Sequence, residues 1–192
     1  MTQAISSFEG FVRKIRKVTP DSDEVLLYRG HSDRKNYKLV PSLLREQRYT
    51  NAEHTILREL VSTHPAEFAA DSTTLEQLVR VQHYSLPTRL LDVTWNPLVG
   101  LYFAARNGDG PPAEVIVFRI KKEIVKFYDS DTASCIANLA HLSTAEKNSI
   151  DFNIIGDAFN AQPPVERLLQ FIRVEKPHFR SVVDPLHLRT AI

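Results

Sequence analysis

The chain has 192 residues, 43% of them hydrophobic and 24% charged, which is the composition of an ordinary globular protein with a sizeable core. Its 24 basic and 23 acidic residues nearly cancel, which excludes a bulk field that would attract nucleic acid or membrane. The single cysteine, Cys135, excludes an internal disulfide framework and indicates a small buried apolar residue in a reducing compartment.

The N-terminal sequence carries no signal for export. Met1-Thr2-Gln3-Ala4 is not followed by the basic segment and apolar core of a leader peptide. No apolar run approaches the roughly 18 residues that a transmembrane helix needs. We therefore expect a cytoplasmic protein with no membrane partner.

Four elements are predicted in the first half of the chain from apolar periodicity and capping signals. They are a helix over about 6–18 opened by Ser6-x-x-Glu9, a buried strand at Val25–Tyr28, a helix over about 51–63 that Pro65 ends, and a helix opened by Thr73-x-x-Glu76 that leads to His83. Because Arg29 and Gly30 follow the strand, we expect it to deliver an arginine at its C-terminal end.

The second half of the chain begins with a helix that has both of its ends marked. Asn96-Pro97 is a good entrance and Asn107-Gly108 a good exit. The residues between them are apolar almost all round, so we expect a central helix over about 97–106 that is buried on most sides. The remaining elements are a central strand at 114–120 and helices over 131–142, after Ser143-x-x-Glu146 and from Pro164. The sequence thus predicts one α+β domain over residues 1–192, with a small mixed sheet packed against several helices.

The run Gln82-His83-Tyr84-Ser85-Leu86-Pro87-Thr88-Arg89-Leu90-Leu91-Asp92 places an imidazole, a guanidinium and a carboxylate around a proline turn. A surface loop has no reason to carry its three leucines. A buried segment has no reason to carry His83, Arg89 and Asp92 unless those groups pair. We therefore expect a half-buried polar site here.

Two interpretations of this run stay open. As a catalytic set, Asp92 would fix the tautomer of His83 so that the imidazole acts as an acid or a base, and Arg89 would stabilise developing negative charge. As a structural turn, Arg89 and Asp92 would neutralise each other while His83 caps a carbonyl. No metal site is predicted, since the histidines lack a spacing such as His-Glu-x-x-His.

The predicted cofactor-binding set is Arg29, Gly30, His31 and Tyr84. A fixed guanidinium at a strand end can bind a phosphate or a carboxylate with paired hydrogen bonds. Gly30 would let the ligand approach the backbone, and Tyr84 could stack on a base or a nicotinamide. The structural alternative is that Arg29 pairs with an acid such as Asp92 and ties the strand to the loop.

Two segments of the chain resemble the signatures of the FRG domain family. They are Tyr28-Arg29-Gly30 and His83-Tyr84-Ser85-Leu86-Pro87-Thr88-Arg89-Leu90-Leu91-Asp92, and the likeness continues through Thr94-Trp95-Asn96-Pro97-Leu98. Ser85 stands where the family usually has glycine, and Val93 stands where it usually has tryptophan. The chain stops before two further segments of the family, so the resemblance implies a domain that is incomplete at its C-terminus. Two alternatives follow: a second half elsewhere completes the site, or this chain lacks activity.

This resemblance implies an effector of bacterial or phage conflict systems, in antiphage defence or as a toxin, that acts on a nucleotide or a nucleic acid. Its sharpest form is similar to an NAD-dependent ADP-ribosyltransferase, with Arg29 on the pyrophosphate, Tyr84 facing the nicotinamide, and His83 with Asp92 positioning the ribose. The usual Glu-x-Glu or Gln-x-Glu pair is absent. The alternatives are a non-catalytic sensor or antitoxin-like module with a protein partner, and a metal-independent nuclease that uses His83 on RNA or DNA.

Overall fold

The computed structural model describes residues 4–108, 110–180, 182–189 and 191. The strands are β1 (Glu24–His31) and β2 (Glu114–Lys121). The α-helices are α1 (Phe8–Ile15), α2 (Gln47–Thr63), α3 (Pro65–Phe68), α4 (Thr74–His83), α5 (Pro97–Ala105), α6 (Asp131–Asn138), α7 (Thr144–Asn148), α8 (Gly156–Asn160), α9 (Pro163–Glu175) and α10 (Pro185–Arg189). Short 3-10 helices lie at Ser42–Arg45, Lys122–Ile124 and Leu139–His141. The predicted α+β class is confirmed.

The chain divides into two compact units. The first unit consists of the residues up to Lys38 together with Asp92–Val125, and the second unit consists of Leu39–Leu91 together with the residues from Lys126 onward. The interpretation of residues 1–192 as one domain stays a prediction.

The sheet of the first unit is an antiparallel pair, in which Arg29 lies opposite Ile116 and His31 lies opposite Glu114. The predicted mixed sheet is therefore wrong for the described residues, since β1 and β2 form a two-stranded sheet. Tyr28 also bridges to Thr94, with each backbone N–H donating to the other residue's carbonyl, at 2.7 and 2.8 Å. This bridge fastens the residues before α5 to the middle of β1.

Helix α5 has the predicted ends but not the predicted burial. The Asn96 side chain accepts a hydrogen bond from the Leu98 N–H, and Gly108 provides the left-handed exit at φ 57°. Within the helix only Gly100 and Ala104 are buried, and Tyr102 is 67% exposed. The expectation of a helix buried on most sides was wrong, because two small residues form its contact with the strand while the large side chains remain exposed.

Helix α1 begins two residues later than predicted and ends earlier. Ser7 caps it by accepting a hydrogen bond from the Gly10 N–H, so the predicted cap at Ser6 is displaced by one residue. Cap geometry selects between adjacent serines that the sequence pattern treats alike.

The second unit is helical and holds most of the apolar core. Its larger cluster packs around α6 and α9 and includes Leu139, Phe159, Leu168 and Ile172, none of which is exposed. The capping boxes of α4 and α7 form as predicted, each with a reciprocal hydrogen bond between a Ser or Thr and a Glu. Cys135 is buried, and burial raises the pKa of its thiol to about 12, as expected for an apolar core residue.

The remaining boundaries differ by a few residues. Helix α2 starts four residues earlier than predicted, and α9 opens at Pro163 rather than Pro164. The predicted helix over 131–142 is divided into α6 and the 3-10 helix Leu139–His141. Among the described residues, no helix combines the length and apolar character that crossing a membrane requires.

Candidate functional site

The predicted site residues fall in both units. Arg29, Gly30, His31 and Asp92 belong to the first unit, and His83, Tyr84 and Arg89 belong to the second. The expected meeting of Arg29 with His83 joins residues of different units and stays a prediction.

Arg29 is oriented from two sides in the first unit. Its Nη1 donates to the backbone carbonyl of Asp92 at 2.5 Å, and its Nε donates to Nε2 of His31 at 3.2 Å. His31 is 2% exposed, which fixes its ring. Because an arginine Nε can only donate, Nε2 of a neutral His31 must be the acceptor and its proton lies on Nδ1. That Nδ1 lies 3.4 Å from a carboxylate oxygen of Glu114.

Glu114, His31 and Arg29 thus lie in a row, with the Glu114 carboxylate near one nitrogen of the imidazole and the Arg29 guanidinium hydrogen-bonded to the other. The ring of Tyr37 packs edge-on against His31, with centroids 5.9 Å apart. Nε of Arg34 lies 3.7 Å from the other carboxylate oxygen of Glu114. This arrangement gives Arg29 a defined direction, which is what binding of a planar anion requires.

Gly30 is explained by packing between β1 and α5. A Cβ built on it would lie 2.0 Å from the carbonyl oxygen of Gly100 and 2.5 Å from the backbone nitrogen of Ala104. No side chain fits there, so the glycine of the Tyr-Arg-Gly motif permits the helix to touch the strand. Its predicted contact with a ligand stays a prediction.

Asp92 holds Arg29 with its backbone and not with its carboxylate. The carbonyl accepts the guanidinium hydrogen bond, and the residue itself is exposed. The structural alternative, in which Arg29 ties the strand to the loop, therefore has a contact to support it, although the acceptor is a main-chain oxygen.

His83 and Tyr84 lie at the C-terminal end of α4, and both are exposed. The Tyr84 hydroxyl donates to the Glu67 carboxylate at 2.7 Å, and this hydrogen bond raises the pKa of the hydroxyl. Ser85, which follows, has a φ of 61°. This left-handed conformation is one that glycine adopts at lower cost than serine.

Arg89 is held in a buried ion pair of the second unit. Its Nε and Nη2 donate to the two oxygens of the Glu53 carboxylate at 2.7 and 2.6 Å, and Nη1 donates to the carbonyl of Ala191 at 3.2 Å. Lys147 donates to the same carboxylate at 2.5 Å. The side chains of Arg89, Glu53 and Lys147 are 9%, 4% and 8% exposed.

The charges of this trio fix its protonation. Burial alone would raise the pKa of Glu53, but the hydrogen bonds and charges of Arg89 and Lys147 outweigh it and lower this pKa. Burial lowers the pKa of Lys147 despite the carboxylate beside it. Glu53 therefore stays ionised and neutralises Arg89.

Thr88, the neighbour of Arg89, fastens the rest of the turn. It is 1% exposed, and its hydroxyl donates to the Gln82 side chain at 2.7 Å while its carbonyl accepts from the Leu43 N–H at 3.1 Å. The Thr-Arg pair of the motif thus ties the loop to α2 and α4.

Sequence reasoning missed Glu53 and Lys147. Glu53 lies three and four residues before Ile56 and Leu57, so it shares the apolar face of its helix, and a carboxylate on such a face needs a buried cation. That signal was available. Lys147 carries no comparable pattern.

A second polar cluster that the sequence did not indicate joins α4, α6 and α9. Both oxygens of Glu175 accept hydrogen bonds, from the Thr74 N–H at 2.8 Å and from Nδ2 of Asn138 at 2.9 Å. The Thr74 hydroxyl donates to Oδ1 of Asn138 at 3.0 Å, so at 3.2 Å the Nε2 of His141 must donate to that hydroxyl. The His141 ring stacks on Phe171, with centroids 4.8 Å apart. Burial, helped by the charge of Arg58, lowers the pKa of His141 to about 4.

Residues 24–111 match the family model of the FRG domain. This segment of the chain is similar to the FRG domain. Every predicted site residue lies inside the matched FRG segment, whereas Asn138, His141, Lys147 and Glu175 follow it. No curated protein and no solved structure matches the chain.

Proposed function

We propose that this FRG domain is an effector domain of a bacterial or phage conflict system that binds a nucleotide through its phosphate, with Arg29 as the phosphate-binding residue. The observation that carries the proposal is the orientation of the Arg29 guanidinium by His31 on one side and by the Asp92 carbonyl on the other. A guanidinium whose direction is already fixed loses little conformational entropy when it binds a planar anion.

The sharpest form of the proposal is NAD-dependent ADP-ribosyl transfer. In this form Arg29 holds the pyrophosphate, Tyr84 stacks on the nicotinamide, and His83 with Asp92 positions the ribose. His83 and Tyr84 are exposed, as ligand-binding side chains must be before the ligand arrives. Arg89 supports the loop and not the ligand, because its side chain is buried and the Glu53 carboxylate neutralises its charge.

The test is incubation of the purified full chain with labelled NAD and cell extract, followed by measurement of label transfer and nicotinamide release. Arg29→Ala should lose at least about tenfold in NAD affinity, since a charge-assisted hydrogen bond contributes about 1.5–3 kcal/mol. Arg29→Lys should retain only part of the NAD affinity of the parent, because an ammonium lacks the paired donors of a guanidinium.

Arg119→Ala is the matched control. It removes an exposed arginine from β2, whose ion pair with Glu24 spans 3.2 Å at the surface. NAD affinity should be unchanged in this variant. Equal NAD binding by the parent and Arg29→Ala would end the phosphate-binding assignment, and binding without transfer or nicotinamide release would end the ADP-ribosylation form alone.

A second candidate function is a non-catalytic sensor or antitoxin-like module that binds a protein partner. Two motif residues favour it, because packing against α5 accounts for Gly30 and the buried ion pair accounts for Arg89. Arg29→Ala and His83→Ala separate the two functions. Loss of toxicity or defence with an intact fold supports the nucleotide-binding effector, and full retention in both variants supports the sensor.

A further inference from the structure

Trp95 is an aromatic residue of the first unit that is 63% exposed, and it follows by three residues the Asp92 carbonyl that holds Arg29. Within the part of the chain that the structure describes, the Trp95 ring forms no stacking or edge contact with another aromatic ring. We propose that Trp95 is the stacking platform for the base of the nucleotide, a role that rests on the phosphate binding proposed for Arg29.

The backbone bridge between Tyr28 and Thr94 places Trp95 on the same side of β1 as Arg29. The two bridged residues exchange both backbone hydrogen bonds, at 2.7 and 2.8 Å, in an antiparallel arrangement. Residues that oppose each other in such a pair share one face, and their neighbours along each chain point to the other face. Tyr28 and Thr94 therefore share a face, and Arg29 and Trp95 lie together on the opposite one.

Arg29 and Trp95 are diagonal neighbours across this bridge, because one follows Tyr28 and the other follows Thr94. Diagonal neighbours in an antiparallel pair lie about 7–8 Å apart, which long and aromatic side chains can span. In a nucleotide, one ribose joins the phosphate to the base and covers a separation of this order. A phosphate on Arg29 can therefore place its base over the indole of Trp95.

Helix α5 covers the other face of β1. Gly30 and Tyr28 share that face, a Cβ on Gly30 would overlap the carbonyl oxygen of Gly100 in α5, and Tyr28 is 6% exposed. The contact between β1 and α5 therefore does not involve the face of Arg29 and Trp95. A ligand that stacks on Trp95 leaves this packing intact.

Trp95 and Tyr84 would contact different bases of NAD. Tyr84, the residue proposed for the nicotinamide, belongs to the second unit. The adenine lies on the other side of the pyrophosphate, so its platform is a different residue. Tyr102 is less suited to that role, because its ring already contacts Phe103 edge-on, with centroids 5.4 Å apart. An indole stacks on any base, and replacement of such a platform by alanine weakens binding about 5- to 150-fold.

The experiment is a titration of the purified full chain with AMP and with ribose 5-phosphate, which keeps the phosphate and the ribose but lacks the base. Trp95 is the single tryptophan, so stacking of adenine should quench the tryptophan fluorescence of the parent, whereas ribose 5-phosphate should leave it nearly unchanged. Isothermal titration calorimetry measures the affinity of each variant for both ligands. AMP should bind the parent at least about fivefold more tightly than ribose 5-phosphate does.

Two substitutions of Trp95 and one control decide the outcome. Trp95→Ala should lower the affinity for AMP at least about fivefold and leave the affinity for ribose 5-phosphate unchanged, while Trp95→Phe should retain most of the AMP affinity. Phe8→Ala is the matched control, since Phe8 is an aromatic residue of the same unit that is 64% exposed, and it should affect neither ligand. Far-UV circular dichroism checks the fold of each variant.

Unchanged AMP affinity in Trp95→Ala, or an equal loss of affinity for both ligands, would overturn the stacking role. Arg29→Ala should weaken the binding of both ligands, because both carry the phosphate. If it does so while Trp95→Ala weakens neither, phosphate binding by Arg29 stands and the stacking role alone is rejected. If neither ligand binds the parent, the function proposed for Arg29 is rejected together with the stacking role.

Discussion

Ser85 adopts a left-handed backbone conformation, with φ at 61°, directly after α4. This conformation costs a residue with a side chain roughly 1–2 kcal/mol, while a glycine costs about 0.5–1 kcal/mol in chain entropy. We therefore expect Ser85→Gly to raise the free energy of unfolding by about 0.5–1 kcal/mol. Urea unfolding followed by circular dichroism measures the change.

Ala69→Gly is the control for this prediction, since Ala69 is exposed and has a φ of −61°. At that position glycine relieves no strain, so stability should fall by about 0.5–1 kcal/mol. A loss of stability in both variants would show that the turn at Ser85 carries no strain.

Gly30 and Gly108 are both required, for different reasons. A Cβ on Gly30 would overlap the backbone of α5, whereas a Cβ on Gly108 has nothing within 4 Å and only the φ of 57° opposes it. We expect Gly30→Ala to cost about 3 kcal/mol, at the upper end of overpacking effects, and Gly108→Ala to cost about 1 kcal/mol. The fluorescence of Trp95, the single tryptophan, reports unfolding of the first unit in both variants. Equal losses would contradict the packing explanation for the motif glycine.

At the scale of elements, the trio of Glu53, Arg89 and Lys147 joins α2 to the loop that carries Arg89 and to α7. Glu53→Gln would leave two buried cations without a counter-charge, so we expect it to cost about 3–5 kcal/mol. Lys147→Met would leave a neutral Glu53–Arg89 pair and remove a cation whose burial is unfavourable, so the change should lie within about 1 kcal/mol of zero or be stabilising. Denaturant midpoints followed by far-UV circular dichroism compare the two.

Glu59→Gln serves as the matched control on the same helix, because Glu59 is exposed. Its effect should stay within about 0.5 kcal/mol. A large loss of stability in Lys147→Met would mean that the second cation is needed, and the assignment of Arg89 as the sufficient partner would be wrong.

The elements that the sequence predicted well are those with local signals. The caps at Thr73, Asn96 and Ser143 form because each bonds to a backbone N–H within three residues, and such a contact can be read from adjacent letters. Burial is a non-local property. The apolar composition of α5 does not say which neighbours cover it, and contact with β1 needs only Gly100 and Ala104.

The candidate site was predictable to the same extent. The FRG signatures located Arg29 and Arg89, but neither spacing nor composition identified what holds them. Spacing offers Asp92, three residues along the chain, as a partner for Arg89, whereas the carboxylate that holds it, Glu53, lies 36 residues before it. The polar cluster around His141 stayed hidden for the same reason, since Thr74 is hydrogen-bonded to residues 67 and 101 positions further along the chain.

At the scale of the whole molecule, near-neutral net charge leaves individual buried groups to set the pH dependence of stability. The pKa of His141 is 6.5 in an ordinary environment and about 4 in the folded chain, chiefly because the ring is buried. Above pH 6.5 the imidazole is neutral in both states, so its titration does not change the free energy of unfolding. As pH falls from about 6.5 to about 4, His141 is protonated in the unfolded chain but stays neutral in the folded chain. The free energy of unfolding therefore decreases across this window.

The loss due to His141 should reach about 3 kcal/mol by pH 4, since each pKa unit corresponds to about 1.4 kcal/mol. Glu53 adds a loss of the same sign, but only below its ordinary pKa of 4.5, because its folded pKa is lowered. Urea unfolding at a series of pH values, followed by far-UV circular dichroism, measures the profile. In His141→Gln the decline between about pH 6.5 and 5 should largely disappear, while the decline below pH 4.5 that Glu53 causes remains. His64→Gln, which removes an exposed histidine at the end of α2, should keep the full profile. If the free energy of unfolding fell with pH at the same slope in His141→Gln, another group would set the acid sensitivity. The substitution removes only the proton uptake of His141 in this pH range.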